Sequence, residues 1–111
     1  MRTLTLSENW NKKLYGNYFT EIRLSKEDFK VGDIVHIVFV KEKIIEFDTK
    51  VICVQKLFFN EIPDSILMLD TGYDRQNSAL LFSKFYKDEI KTKKLAVILL
   101  NRISEYSVKD R

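Results

Sequence analysis

The sequence predicts an α+β domain: a small, curled open β-barrel of about five to six mostly antiparallel strands with three helices. Three observations carry that expectation. β-branched and aromatic runs dominate residues 18–59, and helix-like spacings group at 63–87. The order strand, helix, three strands, two helices, strand lacks the alternation a doubly wound parallel sheet needs. At 111 residues, 45% apolar, with three glycines and one proline, the chain can bury a core, so one domain over 1–111 is expected.

Each element follows from local chemistry. RTLTL (2–6) alternates as a strand does. Ser7 can cap a short helix over 7–16, with Trp10 and Leu14 on one face and Gly16 past its last turn. YFTEIRL (18–24) is the second strand, with Phe19, Glu21 and Arg23 on one side and Tyr18, Thr20, Ile22 and Leu24 on the other. SKEDFKVGD (25–33) is a polar connection closed by Gly32-Asp33. IVHIVFVK (34–41) reads as a central strand buried on both faces, and KEK (41–43) as a turn. IIEFDTKVICVQKLFF (44–59) is then a long strand antiparallel to its predecessor, bulged or broken near Asp48. Pro63 opens the helix PDSILMLD, with Gly72 beyond its end. Asp74 caps RQNSALLFSKFYK, where Leu81 meets Phe85 and Phe82 meets Tyr86 at four-residue spacing. A lysine-rich loop leads to the buried strand LAVILLNR (95–102), and residues 103–111 form a tail or a short final strand.

Composition narrows the chemistry. No apolar run reaches the roughly 18 residues of a membrane span, and MRTLTLSENW lacks the apolar centre of a signal peptide. With a lone Cys53 excluding an internal disulfide, no membrane partner and a cytoplasmic setting are expected. One cysteine and one histidine in separate strands cannot make a zinc set, and no acidic loop has calcium spacing. The three glycines are isolated, so there is no phosphate loop. No metal and no cofactor are expected. His36, between Val35 and Ile37, reads as a satisfied structural histidine, and Cys53 in VICVQ as a small core residue. Those apolar settings argue against a Cys-His nucleophile pair.

Net charge is +3, from 19 basic and 16 acidic residues, too little to define a partner. Lys84, Lys87, Lys91, Lys93 and Lys94 nevertheless face only Asp88 and Glu89 in their stretch, and Lys12-Lys13 form a second cluster. A solvated face is the plain reading of each. Glu21 and Arg23 remain. As an exposed pair they contribute about 0–1 kcal/mol. In a cleft, Arg23 offers a planar fork to a phosphate or base edge, Glu21 accepts from amino groups, and Tyr18, Tyr73 or Tyr86 offers a stacking face. The residues alone leave both readings open.

Gly16, Glu21 and Arg23 in GNYFTEIR match a pattern of the type G-x-K-x-x-E-x-R, and Gly32-Asp33 then open a strand. IPDSILMLDTGYDRQNSALLFSKFY, a helix, a G-Y and an aromatic helix, precedes the closing strand LAVILLN. In these features, over about residues 1–102, the chain resembles the ASCH domain family, within the PUA-like group of small RNA-associated barrels. The resemblance implies a PUA-like barrel and an RNA-related role. In some ASCH enzymes the pattern's lysine acts with nearby threonine and glutamate in hydrolysing an acetylated cytidine nucleoside. Here that lysine falls on Tyr18 and the threonine on Phe19, and Tyr18 lacks the amine's charge and reach.

Three functions are then expected, in descending order. The first is a non-enzymatic module for nucleic acid, RNA over DNA. Lys12, Lys13, Lys91, Lys93 and Lys94 would attract phosphates, while a nucleotide sits among Tyr18, Glu21, Arg23 and Tyr73. The next is a protein-interaction or accessory domain with a vestigial cleft. The last is a small hydrolase of a modified nucleoside or RNA, with Glu21 as general acid/base and Tyr18 or Arg23 stabilising an oxyanion.

Overall fold

The computed structural model describes residues 1–24 and 28–111, so part of the expected 25–33 connection lies outside the described residues. Its strands are β1 (Arg2–Leu6), β2 (Tyr18–Leu24), β3 (Ile34–Val40), β4 (Lys43–Leu57), β5 (Leu95–Arg102) and β6 (Ser107–Asp110). Its helices are α1 (Asp64–Thr71), α2 (Arg75–Tyr86) and α3 (Glu89–Thr92).

β4 organises the sheet, because its 15 residues are long enough to serve different neighbours along their length. Its first half pairs antiparallel with β3, Val40 opposite Ile44 through Ile34 opposite Lys50, and with β6, Ile45 opposite Val108. Its second half pairs antiparallel with β5, Thr49 opposite Arg102 through Leu57 opposite Leu95. β1 adds to β3 in parallel and β2 to β5 antiparallel, giving the order β1-β3-β4-β5-β2. The sheet is not closed. β1 and β2 stand at the two ends of that order, and the gap between them positions the site.

Two apolar clusters hold the sheet. On one face Leu4, Phe19, Val35, Ile37, Phe47 and Leu100 pack together with Leu14. On the other, Ile22, Leu24, Leu95 and Val97 pack under Leu67, Phe82 and Ile90 of the helices. β2 and β5 therefore bury alternate residues in opposite clusters, which is why LAVILLN shows no polar alternation. Each such side chain contributes about 1.5–3 kcal/mol on burial.

Several elements differ from expectation. The 7–16 helix is instead a 3-10 segment, Trp10–Tyr15, interrupted by left-handed backbone at Asn11 (φ 58°) and Lys12 (φ 53°). Asn9, not Ser7, supplies its side-chain acceptor, to the Leu14 N–H at 2.9 Å. Gly16 is extended at φ −83° and not a left-handed cap. β3 is buried on one face only: Val35, Ile37 and Phe39 are inside, while His36, Val38 and Val40 are half-buried, because among the described residues β3 packs mainly against β1 and β4 and not under a helix. The register shift of β4 falls between Val51 and Cys53, not near Asp48, and it leaves Cys53 exposed instead of in the core. The lysine-rich loop contains α3. The described residues thus hold three α-helices and two 3-10 segments, Trp10–Tyr15 and Phe59–Glu61, where three helices are expected. Gly72 (φ 81°) does close α1, and Asp74 Oδ1 accepts from the Asn77 N–H at the start of α2. No helix among the described residues is long and apolar enough to cross a membrane.

Candidate functional site

The left-handed pair Asn11-Lys12 reverses the chain so that Trp10 and Lys13 both turn toward the gap between β1 and β2. A non-glycine residue is uncommon in that backbone region, and asparagine tolerates it best. Asn11 is further fixed by its amide, which donates to the carbonyls of Leu69 at 3.1 Å and Met68 at 3.4 Å.

Lys13 is almost fully buried, and its ammonium donates to Asp70 Oδ1 at 2.9 Å and Glu21 Oε1 at 3.1 Å. Thr20 Oγ1 donates to the same Asp70 oxygen at 2.7 Å. Arg23 Nε donates to the other Glu21 oxygen, Oε2, at 3.3 Å. Thr20 and Glu21 point to opposite faces of β2, and a group that bonds both Glu21 and Asp70, the partner of Thr20, ties the two together. Lys13 does this. Burial pulls the Lys13 pKa down, but the negative charges of Glu21 and Asp70 outweigh it and hold the pKa above its usual value, so the ammonium stays charged. Burial pushes the Asp70 carboxyl up, with Lys13 opposing. Asp70 Oδ2 is buried without a partner among the described residues.

Beside this set lies a cavity of about 260 Å³. β1 and its exit contribute Thr5, Leu6, Ser7 and Glu8, and β2 contributes Glu21, Ile22 and Arg23. Lys13 closes one end. The remaining wall is aromatic: Trp10 with Phe82, Phe85 and Tyr86 of α2. Trp10 and Phe85 have ring centroids 5.7 Å apart, and Phe82 stacks on Tyr86 at 6.4 Å. Burial raises the Tyr86 hydroxyl pKa, with Arg23 opposing and Glu21 adding to the rise, which places that hydroxyl in the field of the charged pair. At 260 Å³ the cavity lies just under the roughly 300–1,000 Å³ of drug-sized ligand sites, room for one small planar molecule.

Of the residues expected from sequence, the structure brings together Lys13, Glu21, Arg23 and Tyr86. It does not bring Tyr18 or Tyr73, which are 62% and 49% exposed and do not line the cavity. Parity along β2 puts Tyr18 on the face opposite Glu21. Lys12, Lys91, Lys93 and Lys94 lie exposed outside the lining, with Lys93 paired to Glu89 and Lys94 over the Phe58 ring. Sequence reading missed Trp10, Phe85, Thr20 and Asp70 as site residues. Asp70 carried a signal: with Leu67 and Thr71 it falls on one helical face, and all three are buried.

Fold and site together define a class: an α+β module with an aromatic-walled cleft between open sheet edges, backed by a buried charged cluster. The crystal structure of hypothetical protein PH0355 is similar, with a TM-score of 0.69 at 22% identity over 93% of this chain and 100% of that one. At that identity the likeness is one of fold. No family model and no curated protein matches the sequence.

Proposed function

We propose that this chain is a PUA-like nucleic-acid-binding module that holds one unpaired base, of RNA in preference to DNA, in the cleft between β1 and β2. The observation that carries the reading is an aromatic wall facing a fixed guanidinium within one base-sized cavity. Trp10 or Phe85, tilted 59° to each other, supplies a face on which a base stacks, and Arg23 supplies donors for its edge. The lysines of α2 and α3 attract the phosphates. The role of Glu21 differs from a base reader: with both oxygens held by Lys13 and Arg23, it aligns those cations. The same engagement makes it a poor general base, which favours binding over hydrolysis.

Titration of labelled mixed-sequence RNA and DNA oligomers at low salt tests this. RNA should bind, and Arg23→Ala should weaken it by about 1–3 kcal/mol. Absence of binding at tens of micromolar, inside the range of ordinary non-specific affinity, overturns it. A protein partner is the second reading, favoured by exposed Leu69, Tyr73 and Leu80 on the α1–α2 face away from the cleft.

A further inference from the structure

The hydrogen-bonding groups that the cleft leaves unused identify the base it takes. On the β2 side Arg23 is held through Nε by Glu21 Oε2, which fixes the guanidinium plane. Among the described residues neither of its terminal nitrogens has a partner, and the side chain is partly open to the cavity. Glu21 is buried, with each oxygen already accepting from a cation, so the more exposed Arg23 is the group that side turns to a ligand. The β2 side therefore presents two parallel donors.

On the β1 side the charged group is Glu8, beside the Thr5 and Ser7 hydroxyls, which can donate or accept and so do not select between bases. Its Oε2 accepts from Lys41 Nζ at 2.9 Å, and its Oε1 has no partner among the described residues. That side presents an acceptor. An occupant that engages both charged groups carries two adjacent acceptors on one edge and donors on a different edge, with a flat face for Trp10 or Phe85, whose rings are tilted 59° to each other.

Resting on the nucleic-acid reading above, we propose that the base taken into this cleft is guanine. Its O6 and N7 are adjacent acceptors that match the Arg23 fork, and its N1–H and N2 amino group are donors on the neighbouring edge, available to Glu8. Adenine sets an amino donor beside N7, against one arm of Arg23. Uracil alternates acceptor and donor. Cytosine has two adjacent acceptors, but its amino group lies on that same edge, which does not suit groups on separate strands.

Five-nucleotide RNAs alike except at a central G, A, C or U provide the test, measured by fluorescence anisotropy at one fixed low salt concentration. The G oligomer should bind about fivefold to 150-fold tighter than the A oligomer. Replacing the central G by 7-deazaguanine, which lacks N7, should remove most of that preference. Arg23→Lys should remove it too, because a point charge cannot make the paired contact. Inosine, which lacks the amino group, should lose affinity in the native protein but not in Glu8→Gln. Equal binding of the four oligomers, or tightest binding of C, overturns the guanine assignment and leaves the nucleic-acid reading standing. If none of the oligomers binds, nor the mixed-sequence RNA, both fall.

Discussion

Lys13 is the residue on which the site turns, because one buried ammonium balances two carboxylates that would otherwise face each other. Removing one partner of a buried ion pair leaves an uncompensated charge and costs about 3–5 kcal/mol. Lys13→Met should therefore lower stability by that amount in urea denaturation, although methionine fills similar space. Asp70→Asn should cost clearly less. It keeps an oxygen for the Thr20 hydroxyl and the Lys13 ammonium, and it replaces a carboxylate that burial already disfavours. A larger loss for Asp70→Asn than for Lys13→Met would mean that the carboxylate, not the ammonium, holds the cluster together. Little of this was legible in sequence. Glu21 and Arg23 were visible as strand neighbours, but Asp70 is 57 residues from Lys13. Lys13 read as half of a surface cluster because nothing local announced the left-handed turn that sends it inward.

Among the elements, the strand joins are tuned by charge and the helix ends by backbone. His36 on β3 bonds Asp48 through Nδ1 at 2.7 Å and Glu46 through Nε2 at 3.0 Å, and Lys109 of β6 reaches the same Glu46 at 2.8 Å. The hydrogen bonds to Glu46 and Asp48 raise the His36 pKa above its usual 6.5. The protonated ring donates to both carboxylates. Its stabilising effect is thus complete below the unfolded value and is lost as pH rises through the higher folded one. Urea midpoints followed upward from about pH 6 should fall in the native protein. They should stay nearly flat in His36→Gln; parallel curves for the two proteins would show that the ring carries no linkage. At the end of α1, Gly72 adopts φ 81°, and an added Cβ would stand 3.4 Å from the Asn11 side chain. Gly72→Ala should cost about 1–2 kcal/mol by thermal denaturation, from the left-handed backbone alone. α1 and α2 were readable because glycine and aspartate mark their ends. The 3-10 segment and the Val51–Cys53 shift were not, since they answer to contacts with Met68, Leu69 and β5.

At the scale of the whole molecule, an open sheet with a pocket in its opening couples binding to stability. β1 and β2 each have one strand neighbour among the described residues, and the same two strands supply much of the cavity lining. The base proposed to lie between them would bridge edges that no backbone hydrogen bond among the described residues joins, so occupancy should protect those edges more than the β3–β4 centre. A ligand at about 100 times its Kd stabilises by about 2.7 kcal/mol, enough to move the Tm of a domain this size by several degrees. Hydrogen exchange of the native chain with a guanine-containing RNA should show the protection concentrated in residues 2–8, 10–13 and 21–23. Protection centred instead on residues 73–84 would place the ligand on the exposed α1–α2 face. The sheet opening would then be a structural gap, filled by the Lys13 cluster and not by a base.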